Sequence, residues 1–242
     1  MIEEELKNAL SNPLLLNVDI QKLQHLSMKF AQIDKSKINF KKKINISVSS
    51  DYTTNFLIEI LPLFLGSRNI DSKIYQSDYG SLTYLVRDLN DDFWKKICDI
   101  FILIPSSSKL MFLPEVTDSI DKIKDNARKE AKIWLEMWSR IKKTIIQSTF
   151  DPPFYTNLGN VDGVQFGGHT HYIRLVNSML IENLPPHVNL IDIESLITKN
   201  KEIDWQDHRL YNLAKQPFSM NTIPVLANSI SSSKSTIGIA SI

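Results

Sequence analysis

The sequence predicts an α/β fold: an open parallel sheet with helices covering both faces. Two observations predict it. Five short apolar segments, at residues 44–49, 73–76, 99–104, 144–148 and 188–192, alternate with helix-like stretches. That alternation feeds parallel strands through helical crossovers. The first segment, with Ile44, Ile46 and Val48, stops at Ser49-Ser50-Asp51-Tyr52-Thr53-Thr54, and an amphipathic helix begins at Asn55. A strand-to-helix turn of this kind is where an α/β sheet offers side chains and unbonded N–H groups to a ligand.

In chain order, residues 1–33 read as helical. Asp19 suits an N-cap, and Ile20, Leu23, Leu26 and Phe30 then recur on one face. Residues 1–43 are therefore expected to form an N-terminal helical extension on a main domain at 44–232. Between the strands, helices are expected at 55–65, 81–88, 117–142 and 170–183, with a last one near 220–231. The longest carries an apolar stripe of Ile120, Ile123, Ala127, Ala131, Trp134, Leu135 and Trp138. Such a stripe assigns both tryptophans to the core rather than to a cofactor. The end of the chain, 233–242, is Ser-rich and uncharged after Lys234, and reads as a flexible tail.

Composition narrows the function classes. The 242 residues are 43% apolar and 23% charged, which is globular, and the formal net charge is +1. No global field favours nucleic acid or an anionic membrane. The lysines between Lys35 and Lys43 read as a solvated loop before the first strand. The one cysteine, Cys98, excludes an internal disulfide framework and a Cys-based zinc site, and suits a small core residue. No apolar run approaches the roughly 20 residues that span a bilayer. A cytoplasmic protein is expected.

The site belongs at the carboxyl ends of the strands. There the chain has Ser49 to Thr54, then Asp78-Tyr79-Gly80-Ser81, then Ser106 to Ser108, then Thr149-Phe150-Asp151 and Asn157 to Asn160, and finally Asp192, Asp204 to Arg209 and Lys215 to Ser219. Hydrolytic chemistry needs a nucleophile, a base and an orienting group. Ser49 or Ser50 supplies a hydroxyl, Asp204 and His208 an acid–base pair, and Gly80 N–H with Asn157 or Asn160 the oxyanion donors. Each has a structural alternative: Ser50 and Asp51 as helix caps, Gly80 as a turn, His208 as a surface side chain. No metal is expected, since His169 and His171, two apart on a helix, face different ways. Gly159, Gly163, Gly167 and Gly168 match neither a P-loop nor a dinucleotide fingerprint.

Four stretches carry a family resemblance. They are Ile46-Ser47-Val48-Ser49-Ser50-Asp51-Tyr52-Thr53-Thr54-Asn55, Ile74-Tyr75-Gln76-Ser77-Asp78-Tyr79-Gly80-Ser81, Ile145-Ile146-Gln147-Ser148-Thr149-Phe150-Asp151-Pro152-Pro153 with Leu158-Gly159-Asn160, and Asp207-His208-Arg209-Leu210-Tyr211-Asn212-Leu213-Ala214-Lys215-Gln216-Pro217-Phe218-Ser219. In this order they resemble the N-terminal region of FkbH-type proteins, which carry a domain similar to the SGNH (GDSL) hydrolases. The resemblance implies a three-layer α/β/α, flavodoxin-like parallel sheet of order 2-1-3-4-5. It also implies glyceryl-type acyl transfer or thioester chemistry on an acyl carrier protein in polyketide or related biosynthesis. The alternative is a catalytically inactive module that binds a carrier or a partner domain. No cofactor is implied beyond the carrier's phosphopantetheine arm. A second implied partner is a phosphatase-like domain of the haloacid dehalogenase class, whose aspartate-rich opening strand does not occur in these residues.

Carried onto this sequence, the resemblance sets Ser50, Asp51, Asp207 and His208 as catalytic candidates. Ser49, Tyr52, Thr53, Gly80, Asn157, Asn160, Arg209 and Lys215 become oxyanion or substrate-binding candidates. The chain also departs from the SGNH pattern. If Asp51 holds the aspartate of the GDS block, Tyr52 falls where the serine belongs. If Ser50 is the nucleophile, Val48-Ser49 replaces Gly-Asp. Asp204 and His208 stand one residue too far apart for the DxxH block. Arg209 and Lys215 suit a phosphate of phosphoglycerate or of phosphopantetheine. An ion-pair network with Asp204 or Asp207 is the other reading of the same pair.

Overall fold

A computed structural model describes residues 19–233 together with Asn8, Leu10, Ser11 and Thr236. Five strands form one sheet: β1 Lys42–Ser50, β2 Ile70–Gln76, β3 Ile100–Ile104, β4 Thr144–Ser148 and β5 Val188–Ile191. The order is β2-β1-β3-β4-β5 and every pairing is parallel, as the sequence led one to expect. The order reverses at β1, so the crevice beyond β1 and β3 is where such a sheet binds ligands.

Period-two alternation divides the core into two layers. Ile44, Ile46 and Val48 of β1 and Ile100, Ile102 and Ile104 of β3 face one side. There they meet α1 Ile20–Gln32, α2 Asn55–Gly66 and α9 Thr222–Ser231, with α1 and α9 both packed on α2. Phe101 and Leu103 of β3 face the other side with Ile145 and Val188, under α5 Ile120–Arg140 and α6 His169–Glu182. Each fully buried isoleucine or leucine contributes about 1.5–3 kcal/mol. Trp134 and Trp138 are core residues, and the Trp138 indole N–H donates to Gln147 Oε1 at 2.9 Å. Cys98 is buried and free.

Boundaries shift for physical reasons. β2 starts at Ile70 rather than 73, because this edge strand needs few apolar residues and Asp71 and Ser72 mask it. The helix expected at 81–88 is one turn, α3 Leu82–Leu85. Asp88 Oδ1 accepts from Asn90 N at 3.1 Å and turns the chain away. Three short helices were not foreseen: α4 Asp92–Lys95, α7 Ile193–Lys199 and α8 His208–Ala214. Asp19 caps α1, accepting from Gln21 N and Lys22 N. The rest of the helix expected at 1–18, beyond Asn8, Leu10 and Ser11, lies outside the described residues. So does the tail at 233–242, except Ser233 and a buried Thr236 whose hydroxyl donates to Ile230 O at 2.9 Å.

Candidate functional site

At the carboxyl edge, the turn after β1 is occupied by its own hydrogen bonds. Ser50 Oγ donates to Ile104 O across the β1–β3 seam at 2.9 Å and accepts from Tyr52 N at 2.9 Å. Asp51 is buried and does not cap α2, whose N-cap Thr54 makes no side-chain cap bond. Its Oδ1 accepts from Thr83 N at 3.0 Å and Thr83 Oγ1 at 2.9 Å, and its Oδ2 accepts from Ser106 N at 3.2 Å. The next amide along, Ser107 N, donates to Asp151 Oδ1 at 2.9 Å. The loop after β3 thus holds one carboxylate from the β1 end and one from the β4 end with successive N–H groups.

Tyr52 closes this network. Its hydroxyl donates to Asp151 Oδ2 at 2.6 Å, and its ring packs edge-on against Phe218 at 5.5 Å. Burial pushes both the Asp51 and Asp151 carboxyls above the usual range, against the hydrogen bonds that lower them. Burial, then the Asp151 charge, holds the Tyr52 phenol well above its ordinary value. Tyr79, at the mouth, is raised by burial and then by Tyr211 and Asp51.

The remaining candidates fall into three groups. Ser49 Oγ accepts from Ser77 Oγ at 2.8 Å, and Ser77 Oγ accepts from Ser81 Oγ at 2.9 Å, beside Gly80 with φ +70°. The second group is the rim on α8. Asp207 is its N-cap, accepting from Leu210 N at 2.9 Å. His208 lays its ring against Phe154 at 5.0 Å and Tyr155 at 5.5 Å, and Phe154 stacks on Tyr211 at 4.7 Å. Lys215 ends α8 in the left-handed conformation, φ 53°, with Nζ over the Tyr211 ring at 5.2 Å. Thr53 ties this rim to β1, its N–H donating to Lys215 O at 3.1 Å and its hydroxyl to Ala214 O. His208, Arg209 and Lys215 are exposed. Among the described residues neither Arg209 nor Lys215 pairs with Asp204 or Asp207, so the ion-pair network is not formed. His208 likewise has no carboxylate partner among them.

The third group surrounds a residue that sequence reasoning missed. Asp162 is buried and accepts from Asn157 N at 3.2 Å, Leu158 N at 3.1 Å and Thr170 N at 2.7 Å. Burial raises its carboxyl, but these bonds prevail and hold it below the usual range. Asn157 is engaged in the same loop, its Nδ2 donating to Gly167 O at 2.8 Å and its Oδ1 accepting from His169 N at 3.1 Å. Asn160 is exposed on a 3-10 turn, Gly159–Val161. His169 and His171 both lie on α6. Among the described residues no three metal-ligating side chains converge, and no helix is long and apolar enough to cross a membrane.

Comparisons with known proteins bear on this architecture. No curated protein matches the chain. The N-terminal part of protein BF1531 from Bacteroides fragilis, a crystal structure containing a phosphatase domain complexed with Mg, superposes with a TM-score of 0.68 at 15% identity, over 87% of this chain and 55% of that one. The likeness establishes the fold, and this chain spans little more than half of that neighbour. An acetyl xylan esterase, AlAXEase, aligns over 77% of this chain and 98% of its own at 14% identity and a TM-score of 0.47. The family model for the FkbH N-terminal domain matches residues 43–232, from the second residue of β1 through α9 and including the rim on α8, with α1 outside it. The chain belongs to the FkbH N-terminal domain family.

Proposed function

We propose that this domain is a recognition module of carrier-dependent natural-product biosynthesis, and that its α8 rim takes the phosphopantetheine arm of an acyl carrier protein. Family membership supplies the biosynthetic setting. The observation that carries the reading is the rim itself: Lys215, exposed and without a carboxylate partner among the described residues, holds Nζ over Tyr211, which stacks on Phe154, and the exposed Arg209, likewise without such a partner, lies on the same helix. Cations without carboxylate partners among the described residues suit a phosphodiester, and stacked aromatic faces suit the apolar stem that follows it. The hydroxyls nearest the buried carboxylates support binding rather than turnover. Ser50 Oγ is committed to Ile104 O and Tyr52 N, and the Tyr52 hydroxyl to Asp151. A second partner is a phosphatase-like domain of the kind present in the Bacteroides neighbour.

Acyl transfer is the second reading. It is favoured by the Ser49–Ser77–Ser81 hydroxyl chain beside Gly80, where space around the glycine is open. Intact-mass spectrometry of the protein mixed with glyceryl- and acetyl-loaded carrier separates the two. The recognition reading expects unchanged carrier masses, together with carrier binding that the Arg209→Ala, Lys215→Ala double variant weakens. Loss of the acyl group, or its appearance on this chain, would replace it with the transfer reading.

A further inference from the structure

A second polar site lies at the opposite, amino-terminal end of the sheet. A cavity of about 380 Å³ is lined by Lys35, Lys43, Asn45, Asp71, Ser72 and Lys73, with Ile44 at its base. This volume falls within the range of small-molecule pockets, roughly 300–1,000 Å³. The register explains how the side chains meet. Lys43 of β1 lies opposite Asp71 of β2, and Asn45 opposite Lys73. These four therefore share one face of the parallel pair, with the two lysines on the diagonal. Lys35 reaches in from the turn after α1 and binds Asp71 at 3.0 Å. That pair neutralises itself. Lys43 and Lys73 have no carboxylate partner among the described residues, and Lys73 Nζ is held over the Tyr75 ring at 5.0 Å. Ser72, opposite Ile44, turns its hydroxyl to the other face of the pair and gives the cavity only backbone.

We infer that this cavity binds a phosphorylated small molecule, with the phosphate between Lys43 and Lys73. Two ammonium groups without carboxylate partners on one face give the cavity a positive field that a dianion neutralises. Asn45 Nδ2 supplies a neutral donor to the same oxygens. A concave pocket favours a small anion over the flat face of an acidic protein. The site is independent of the α8 rim, which stands at the other end of the strands.

The test is an amide-detected NMR titration of the whole chain with inorganic phosphate, against chloride at matched ionic strength. Saturable shifts at Asn45, Ser72 and Lys73 in the millimolar range are expected with phosphate only. The Lys43→Gln, Lys73→Gln double variant should lose affinity on the order of tenfold, with its melting temperature unchanged. Ser72→Ala, whose side chain lies on the other face, should leave the affinity unchanged. Shifts that match chloride, or affinity that survives the double variant, would overturn the inference. Tight binding of poly-glutamate without any phosphate response would also overturn it, in favour of an acidic protein partner.

Discussion

The Tyr52 hydroxyl donates a 2.6 Å hydrogen bond to Asp151, 99 residues away, and both groups are buried. The bond joins the turn after β1 to the turn after β4 across the intervening β3. It gives Tyr52 a defined structural duty. Removing that hydroxyl leaves Asp151 Oδ2 buried without its donor. Tyr52→Phe is expected to destabilise the fold by about 1–3 kcal/mol, read as a lower denaturation midpoint with an unchanged m-value. A variant as stable as the parent would show that the bond is not formed in solution.

Asp151 also sets a pH dependence. Burial raises its folded value above the unfolded one, near 3.8. A raised carboxyl binds its proton more tightly when folded, so its contribution is full below the unfolded value and is lost as pH rises through the folded one. Asp151→Asn removes the titration while keeping the partners. The amide oxygen accepts from Ser107 N, and the amide N–H donates to the Tyr52 oxygen. The stability of the parent relative to this variant should therefore fall as pH rises from below 3.8 through the raised folded value. Parallel urea titrations across that range check it, and a flat difference would contradict it.

The fold was legible where side chains repeat. Ile100 to Ile104 are apolar without a break because β3 is buried on both faces, and the stripe on α5 follows one side of a helix. The site was legible only as a set of polar strand ends. Asp51 and Asp151 each appear there, but which donors they meet depends on Ser106 and Ser107, brought in by strand order rather than by spacing. Asp207 did carry a local signal. It is an aspartate before a helical stretch, and it caps α8, as Asp192 caps α7. Its place among the catalytic candidates comes from the family resemblance, not from that signal. Asp162 had no comparable signal, because its donors come from both sides of a loop with no period of its own.

That loop yields the opposite pH sign. Asp162 is held below the usual carboxylate range by the amides of Leu158 and Thr170 among others, against burial. A lowered carboxyl stabilises above the unfolded value, and its contribution is lost as pH falls through the folded one. Asp162→Asn is expected to cost about 1.5–3 kcal/mol at neutral pH, with the deficit shrinking on acidification. Its signature in urea titrations is thus the reverse of the one at Asp151.

Gly168 tests the same loop from the backbone. A Cβ at this position would lie 2.0 Å from Asp162 O and 2.7 Å from its carbonyl carbon. Neither atom can yield without moving the turn that His171 N also bonds, through the same oxygen at 3.2 Å. Gly168→Ala should cost about 3 kcal/mol, whereas Gly159→Ala meets no atom within 4 Å and carries only the strain of φ +54°. Thermal melts of the two variants should rank in that order.

Lys215 separates stability from recognition in one substitution. It ends α8 with φ 53°, a conformation that a side chain disfavours and glycine adopts freely. Lys215→Gly therefore relieves the backbone, by about 1 kcal/mol, while it deletes one of the two rim cations. The variant should melt higher than the parent and bind carrier more weakly. An ordinary surface lysine predicts the first effect without the second. A lysine whose side chain packed the fold together predicts a lower melting temperature. Measuring both properties on the one protein, with Arg209→Ala as the variant that changes charge but not backbone, assigns Lys215 to the rim or removes it.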